Sequence, residues 1–294
     1  MFGQILTAIA TPFSEDESVD EDAFATLCRS LIDDGSHGLV VAGTTGEAST
    51  LTDEEKIRLC EIAVSEVGDR ASIIAGTGSN DTAHSVHLTE AVSGLGVDGV
   101  LAVTPYYNRP PRAGLIGHFG AMAAVGLPVV LYNIPGRTSL NMPPDVVCEI
   151  AEIDGVVALK QANEDLDETR AIMAGSDLAI YAGNADLLLP VMELGGAGVI
   201  SVVSHLVAPQ LAAIAEAVEA GDPERAAALD AELAGLYSGL FVNTNPILIK
   251  AALEMRGQIP SARVRLPLVE ATPVERDILR TVLDAQGIGA TATG

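Results

Sequence analysis

Val129-Val130-Leu131-Tyr132-Asn133-Ile134-Pro135-Gly136-Arg137 begins as an unbroken apolar run and ends in polar groups around a Pro-Gly turn. An unbroken run, in place of strict alternation, is what a strand covered on both faces requires. Residues 143–153 then carry a helical pattern, and Val156-Val157-Ala158-Leu159-Lys160 is a second apolar run that stops at a charge. Strand, helix and strand in that order make one βαβ unit, the building block of a parallel sheet.

The same alternation extends in both directions. Apolar runs recur at residues 5–10, 39–42, 72–75, 99–103, 178–182 and 198–202, with helical patterns at 20–34, 52–67, 81–93, 112–125 and 185–194 between them. Thr52 followed by Glu55 makes a capping box, and Asp81 is placed to cap the next helix. Eight such units close on themselves, so the expected fold is an α/β (β/α)8 TIM barrel over residues 1–221. From about residue 205 the pattern turns to helices alone. Gly221-Asp222-Pro223 breaks one of them before residues 224–236 start another, so residues 222–294 are expected to form a C-terminal helical extension. The small residues at 287–294 are expected to fray.

Composition limits the function. With 48% hydrophobic and 19% charged residues the chain reads as globular, and no stretch approaches the roughly 20 apolar residues of a membrane span. The apolar start at residues 1–10 lacks a basic flank and a cleavage site, so it reads as a first strand. Cys28, Cys60 and Cys148 are widely separated, which points away from a disulfide or zinc framework and toward a cytoplasmic setting. A formal net charge of −24 repels phosphate backbones and anionic lipid, which argues against nucleic-acid and membrane partners. An anionic substrate therefore needs a local positive site, and the chain has only three lysines, Lys56, Lys160 and Lys250.

In a barrel of this kind chemistry collects where strands end. The second strand ends in Gly43-Thr44-Thr45-Gly46-Glu47, the fourth in Thr104-Pro105-Tyr106-Tyr107-Asn108, the fifth at Tyr132 to Arg137 and the sixth at Lys160. Burial of the Lys160 amine lowers its pKa from about 10.4 toward about 7–8, where it is a nucleophile for a ketone; the alternative is a lysine that snorkels to solvent or pairs with Glu47 or Glu164. Tyr132, with a hydroxyl such as Thr44, suits an acid–base relay, or else is a buried aromatic bonded to a backbone carbonyl. The Gly-Thr-Thr-Gly turn offers amides and hydroxyls to a carboxylate. Arg137 offers a planar fork for a second carboxylate, or else sits in a surface ion pair.

Gly-Thr-Thr-Gly-Glu at 43–47, Thr-Pro-Tyr-Tyr-Asn at 104–108, Tyr-Asn-Ile-Pro-Gly-Arg-Thr at 132–138, Lys160 and Asn-Pro-Ile-Leu-Ile-Lys at 245–250 resemble the dihydrodipicolinate synthase family in order and spacing. The resemblance implies that Lys160 forms a Schiff base with pyruvate and that Tyr132, Thr44 and Tyr107 relay protons, Tyr107 reaching into a neighbouring subunit's site. It further implies that Thr45 joins Thr44 in holding pyruvate, that Arg137 receives the carboxylate of aspartate semialdehyde, and that Gly183 and Ile200 line the pocket. The implied product is 4-hydroxy-tetrahydrodipicolinate, on the way to diaminopimelate and lysine. No metal or organic cofactor is implied, and the implied assembly is a homo-oligomer, a dimer or a dimer of dimers such as a homotetramer.

Two departures from the family pattern remove no catalytic group. Gln161 follows Lys160 where many members carry a carboxylate, and His205 stands where an asparagine is common. In lysine-sensitive members an asparagine, a glutamate, a histidine and a tyrosine hold the effector; Asn80 and Tyr106 match, whereas His84 and Lys56 replace the glutamate and the histidine. Other pyruvate-dependent lyases on the same scaffold, such as N-acetylneuraminate lyase or 2-keto-3-deoxy sugar acid aldolases, share the lysine and tyrosine. The combination of Thr44-Thr45, Tyr106-Tyr107 and Arg137 favours the synthase.

Overall fold

The computed structural model describes residues 2–289; the last residues of the expected extension, 290–294, lie outside them. Eight parallel strands close into a barrel in sequence order: β1 (Ile5–Ala8), β2 (Gly38–Val41), β3 (Ser72–Gly76), β4 (Gly99–Val103), β5 (Val129–Asn133), β6 (Val156–Gln161), β7 (Ala179–Ala182) and β8 (Gly198–Ser201). All eight expected strands form, with ends displaced by one or two residues. β1 stops at Ala8, but Ile9 still donates its N–H to the Val40 carbonyl at 3.1 Å, so the chain leaves the sheet gradually.

The period-two geometry of a strand sorts each run between two cores. Leu6, Val40, Leu101, Val130, Ala158 and Ile200 fill the barrel interior. Their neighbours Ile5, Leu39, Val129, Leu131 and Leu159 face outward and pack under the helices. Closure depends on Gly198, which pairs near the start of β8 at φ 141; a Cβ there would stand 2.0 Å from the Gln4 carbonyl oxygen. Only glycine allows so close an approach.

Outside the barrel run α1 (Glu21–Asp33), α2 (Asp53–Val67), α3 (Thr82–Ser93), α4 (Arg112–Ala123), the single turn α5 (Pro135–Thr138) and α6 (Pro144–Ala151). They are followed by α7 (Leu166–Gly175), α8 (Leu188–Glu193) and α9 (Ser204–Glu219). The capping box is present: Thr52 Oγ1 accepts from Glu55 N at 3.2 Å and Glu55 accepts from Thr52 N at 2.9 Å. Asp81 accepts from Ala83 N at 2.9 Å, satisfying an orphan donor of α3. The pattern reading did not single out α7 or the turn α5. Asp165, which caps α7 by accepting from Asp167 N at 2.9 Å, was the available signal.

Gly221 takes φ 69 and Asp222 caps the helix that follows, so the chain breaks at Gly221-Asp222-Pro223 as expected. Beyond it lie α10 (Pro223–Gly239), α11 (Ile247–Met255) and α12 (Pro273–Ala285). α10 packs on α9 and α12 packs on both α10 and α11. No helix among the described residues is long and apolar enough to cross a membrane.

Candidate active site

The barrel mouth opens into a cavity of about 480 Å³ whose walls include Gly43, Thr44, Tyr132, Ile134 and Arg137. Tyr132 and Lys160 are directly opposed in the β5–β6 register, so both side chains point into the barrel. The Lys160 amine stands 4.4 Å from the Tyr132 ring centroid and the residue is only 5% exposed. Among the described residues no carboxylate pairs with it: Glu47 is taken by Lys250 at 2.7 Å, and Glu164 is exposed.

This environment separates the two ionisations. Burial, aided by the charge of Arg137, pulls the Lys160 amine down to about 7. Burial pushes the Tyr132 phenol up to about 12, against the opposing effects of a Thr44 hydrogen bond and the Arg137 charge. Near neutrality the site thus holds a substantially neutral amine beside a protonated phenol. The amine can attack a carbonyl carbon, and the phenol can give a proton to the oxygen that develops charge.

Arg137 lies on α5, the turn that the Pro135-Gly136 sequence makes after β5. Its Nη2 donates to Thr244 Oγ1 and to the Asn245 carbonyl, both at 3.2 Å. Among the described residues it has no carboxylate partner, so the surface ion pair is not formed and a cation is left on the cavity wall. Thr45 is 2% exposed and its Oγ1 accepts from Asn245 Nδ2 at 3.0 Å.

The remaining expected residues sit elsewhere. Tyr107 is 90% exposed, at φ 72, and does not line the cavity of its own chain; Tyr106 does. Ile200 is wholly buried in the barrel interior. Gly183 fits where a Cβ would meet Ala162 at 2.5 Å, so it lets β7 close against the end of β6.

Gln161 and His205, the two departures from the family pattern, are not among the residues that line the cavity. Gln161 is one residue past Lys160 and so faces the other side of the sheet, where its Oε1 accepts from Asn133 Nδ2 at 2.9 Å. His205 donates from Nδ1 to the Val202 carbonyl at 2.7 Å and accepts at Nε2 from Ala10 N at 3.1 Å. Burial pulls its pKa down to about 4, so it is a neutral tie between the ends of β1 and β8.

The far end of the cavity is lined by Asp53, Lys56, Asn80, His84 and Tyr106. Asp53 sits between two bases, 2.7 Å from His84 Nε2 and 3.2 Å from Lys56 Nζ. Among the described residues no group of three or more His, Cys, Asp or Glu side chains is placed to hold a metal ion.

The sequence profile of the Dihydrodipicolinate synthetase family matches residues 1–286. A 4-hydroxy-tetrahydrodipicolinate synthase from Moorella thermoacetica is 48% identical over 290 residues, 98% of this chain and 99% of that protein. Among solved structures, a DHDPS from Cyanidioschyzon merolae with lysine bound superposes with a TM-score of 0.95 at 40% identity, covering 98% of this chain and 99% of that one. A chloride-inhibited dihydrodipicolinate synthase from Acinetobacter baumannii, complexed with pyruvate, gives 0.94 at 36% identity, covering 98% and 100%.

The lowered Lys160 pKa makes a direct prediction. Only a neutral amine is alkylated, so reductive methylation of Lys160 with formaldehyde, followed by peptide mass mapping, is expected to rise with pH through a midpoint near 7 and to fall about tenfold per pH unit below it. A midpoint near that of an ordinary lysine would show that the amine is charged in the folded protein.

Proposed function

Because the chain belongs to the dihydrodipicolinate synthetase family, we propose that it is a 4-hydroxy-tetrahydrodipicolinate synthase, a Schiff-base-forming lyase that condenses pyruvate with aspartate semialdehyde. The observation that carries this reading is the buried, unpaired Lys160 amine against the ring of Tyr132. Lys160 Nζ attacks the keto carbon of pyruvate, the carbonyl π pair moves to oxygen, and a proton passes from the nitrogen to that oxygen to give a carbinolamine. A second proton expels water and leaves the iminium. Removal of a methyl proton then gives an enamine, whose carbon attacks the aldehyde carbon of the second substrate; the aldehyde oxygen takes a proton and the iminium on Lys160 is restored. The amino group of the adduct displaces Lys160 from the imine carbon and closes the ring.

The roles are those that the family resemblance assigns. Tyr132 and Thr44, which line the same cavity, move the protons. Thr44 and Thr45 hold the pyruvate carboxylate, and Arg137 holds the carboxylate of aspartate semialdehyde with a fork that matches it. Gly183 and Ile200 support the pocket from the ends of β7 and β8. Tyr107 extends from its own chain in a left-handed backbone conformation, which suits a residue that enters a partner subunit's site in a homo-oligomer. The working division is a catalytic barrel over residues 1–221 and a helical extension over 222–294, in the cytoplasm.

Activity is expected with pyruvate plus aspartate semialdehyde, coupled to the next reductase, and not with pyruvate plus N-acetylmannosamine. Arg137→Ala removes a charge-assisted contact contributing roughly 1.5–3 kcal/mol, so use of the aldehyde is expected to fall about ten- to a hundred-fold. Imine formation with pyruvate is expected to persist. Equal loss at both steps would make Arg137 a structural residue.

The far end of the cavity supports weak feedback by lysine. His84 cannot supply the negative charge that a glutamate would offer an effector's ammonium, Lys56 adds a like charge nearby, and Asp53 is already occupied by His84 and Lys56. Asp81 is committed to capping α3. Titration of lysine into the coupled assay is expected to inhibit only weakly, the loss of one charge-assisted contact plus repulsion weakening binding more than about a hundred-fold. Half-inhibition at submillimolar lysine would contradict this.

A further inference from the structure

We propose that Lys250 and Glu47 form a positioning pair through which the C-terminal extension holds the Gly43-Thr44-Thr45-Gly46 turn in register with Tyr132 and Lys160. The proposal rests on the synthase reading above. Glu47 follows the turn directly and takes φ 58, a left-handed conformation that costs energy for any residue with a Cβ, so its surroundings must hold it there.

What holds it comes from the far end of the chain. Glu47 Oε1 accepts from Lys250 Nζ at 2.7 Å and Oε2 accepts from Arg265 N at 3.0 Å, so both oxygens have a fixed donor. The side chains of the pair are 0% and 1% exposed. The Lys250 amine stands 4.1 Å from the centroid of the buried Phe13 ring, and the Arg265 guanidinium 4.5 Å from the same ring. A buried ion pair adds little net stability, because desolvating two charges offsets their attraction. What it does supply is orientation: a carboxylate held by two donors from separate elements has one position.

That position passes to the reacting groups through the turn. Glu47 N donates to the Thr44 carbonyl at 3.1 Å and Ala48 N to the Gly43 carbonyl at 3.2 Å. Thr11 Oγ1 donates to the Gly46 carbonyl at 2.8 Å. Displacing Glu47 therefore displaces Thr44, which lines the same cavity wall as Tyr132. Lys250 touches neither substrate nor reacting atom; it acts through Glu47 and Thr44.

The test compares the wild-type chain with the double variant Glu47→Gln, Lys250→Met, which removes both charges together and leaves no lone buried ion. Melting temperature, kcat, the KM for each substrate and the single-turnover rate of borohydride-trapped imine are measured on both, with active sites counted by the trapped imine. The double variant is expected to melt within a few degrees of wild type, while its imine-formation rate and kcat fall about ten- to a hundred-fold, the scale on which a misplacement of about 1 Å acts. The KM for the aldehyde is expected to stay within about twofold, since Arg137 and Asn245 are untouched. Lys250→Arg, which keeps a donor for Glu47, is expected to retain more of the rate than the double variant. Wild-type rates in the double variant, or a deficit accounted for by fewer folded sites, would overturn the positioning role. A wild-type chain that traps no imine would instead overturn the synthase reading.

Discussion

An amine buried in an apolar barrel mouth without a counter-ion is the constraint around which the site is built. The chain holds two buried lysines, and the contrast between them is instructive. Lys250 has Glu47 at 2.7 Å and a second cation nearby, and although burial draws its pKa down to about 8, its proton is committed to an ion pair. Lys160 has an aromatic face and the charge of Arg137 acting on it, and burial draws it to about 7 with no carboxylate to hold the proton. One arrangement orients a turn; the other frees a nucleophile. The cost of burying Lys160 is offset by the barrel interior, where Leu101, Val130, Ala158 and Ile200 pack together.

A chain of net charge −24 attracts anions only through local features. Arg137, unpaired on the cavity wall, and the hydroxyls of the Thr44-Thr45 turn are such features. Segment 244–250 links them: Thr244 and the Asn245 carbonyl receive Arg137, the Asn245 amide reaches Thr45, and Lys250 reaches Glu47. The helical extension is therefore part of the site's construction, although the barrel carries the groups that meet substrate.

Much of this was legible in the residues. Apolar runs located all eight strands because both faces of each are covered, and the polar residues ending them marked Thr44, Tyr132, Arg137 and Lys160. Strand periodicity also contained the answer for Gln161, since successive residues face opposite sides. His205 was less legible, because its role depends on Ala10, 195 positions away in the chain. The Glu47–Lys250 pair spans 203 positions and leaves no local pattern. Tyr107 was singled out by its motif, but its exposure and left-handed backbone appear only in three dimensions. The helix after β6 was overlooked because its cap, Asp165, lies among other acidic and amide residues that read equally well as a loop.

Incubation with pyruvate and borohydride, followed by peptide mass mapping, addresses the Schiff base itself. Three lysines make the assignment unambiguous. One pyruvate-derived adduct per chain is predicted, on the peptide containing Lys160; an unchanged mass, or an adduct on Lys56 or Lys250, would contradict the mechanism.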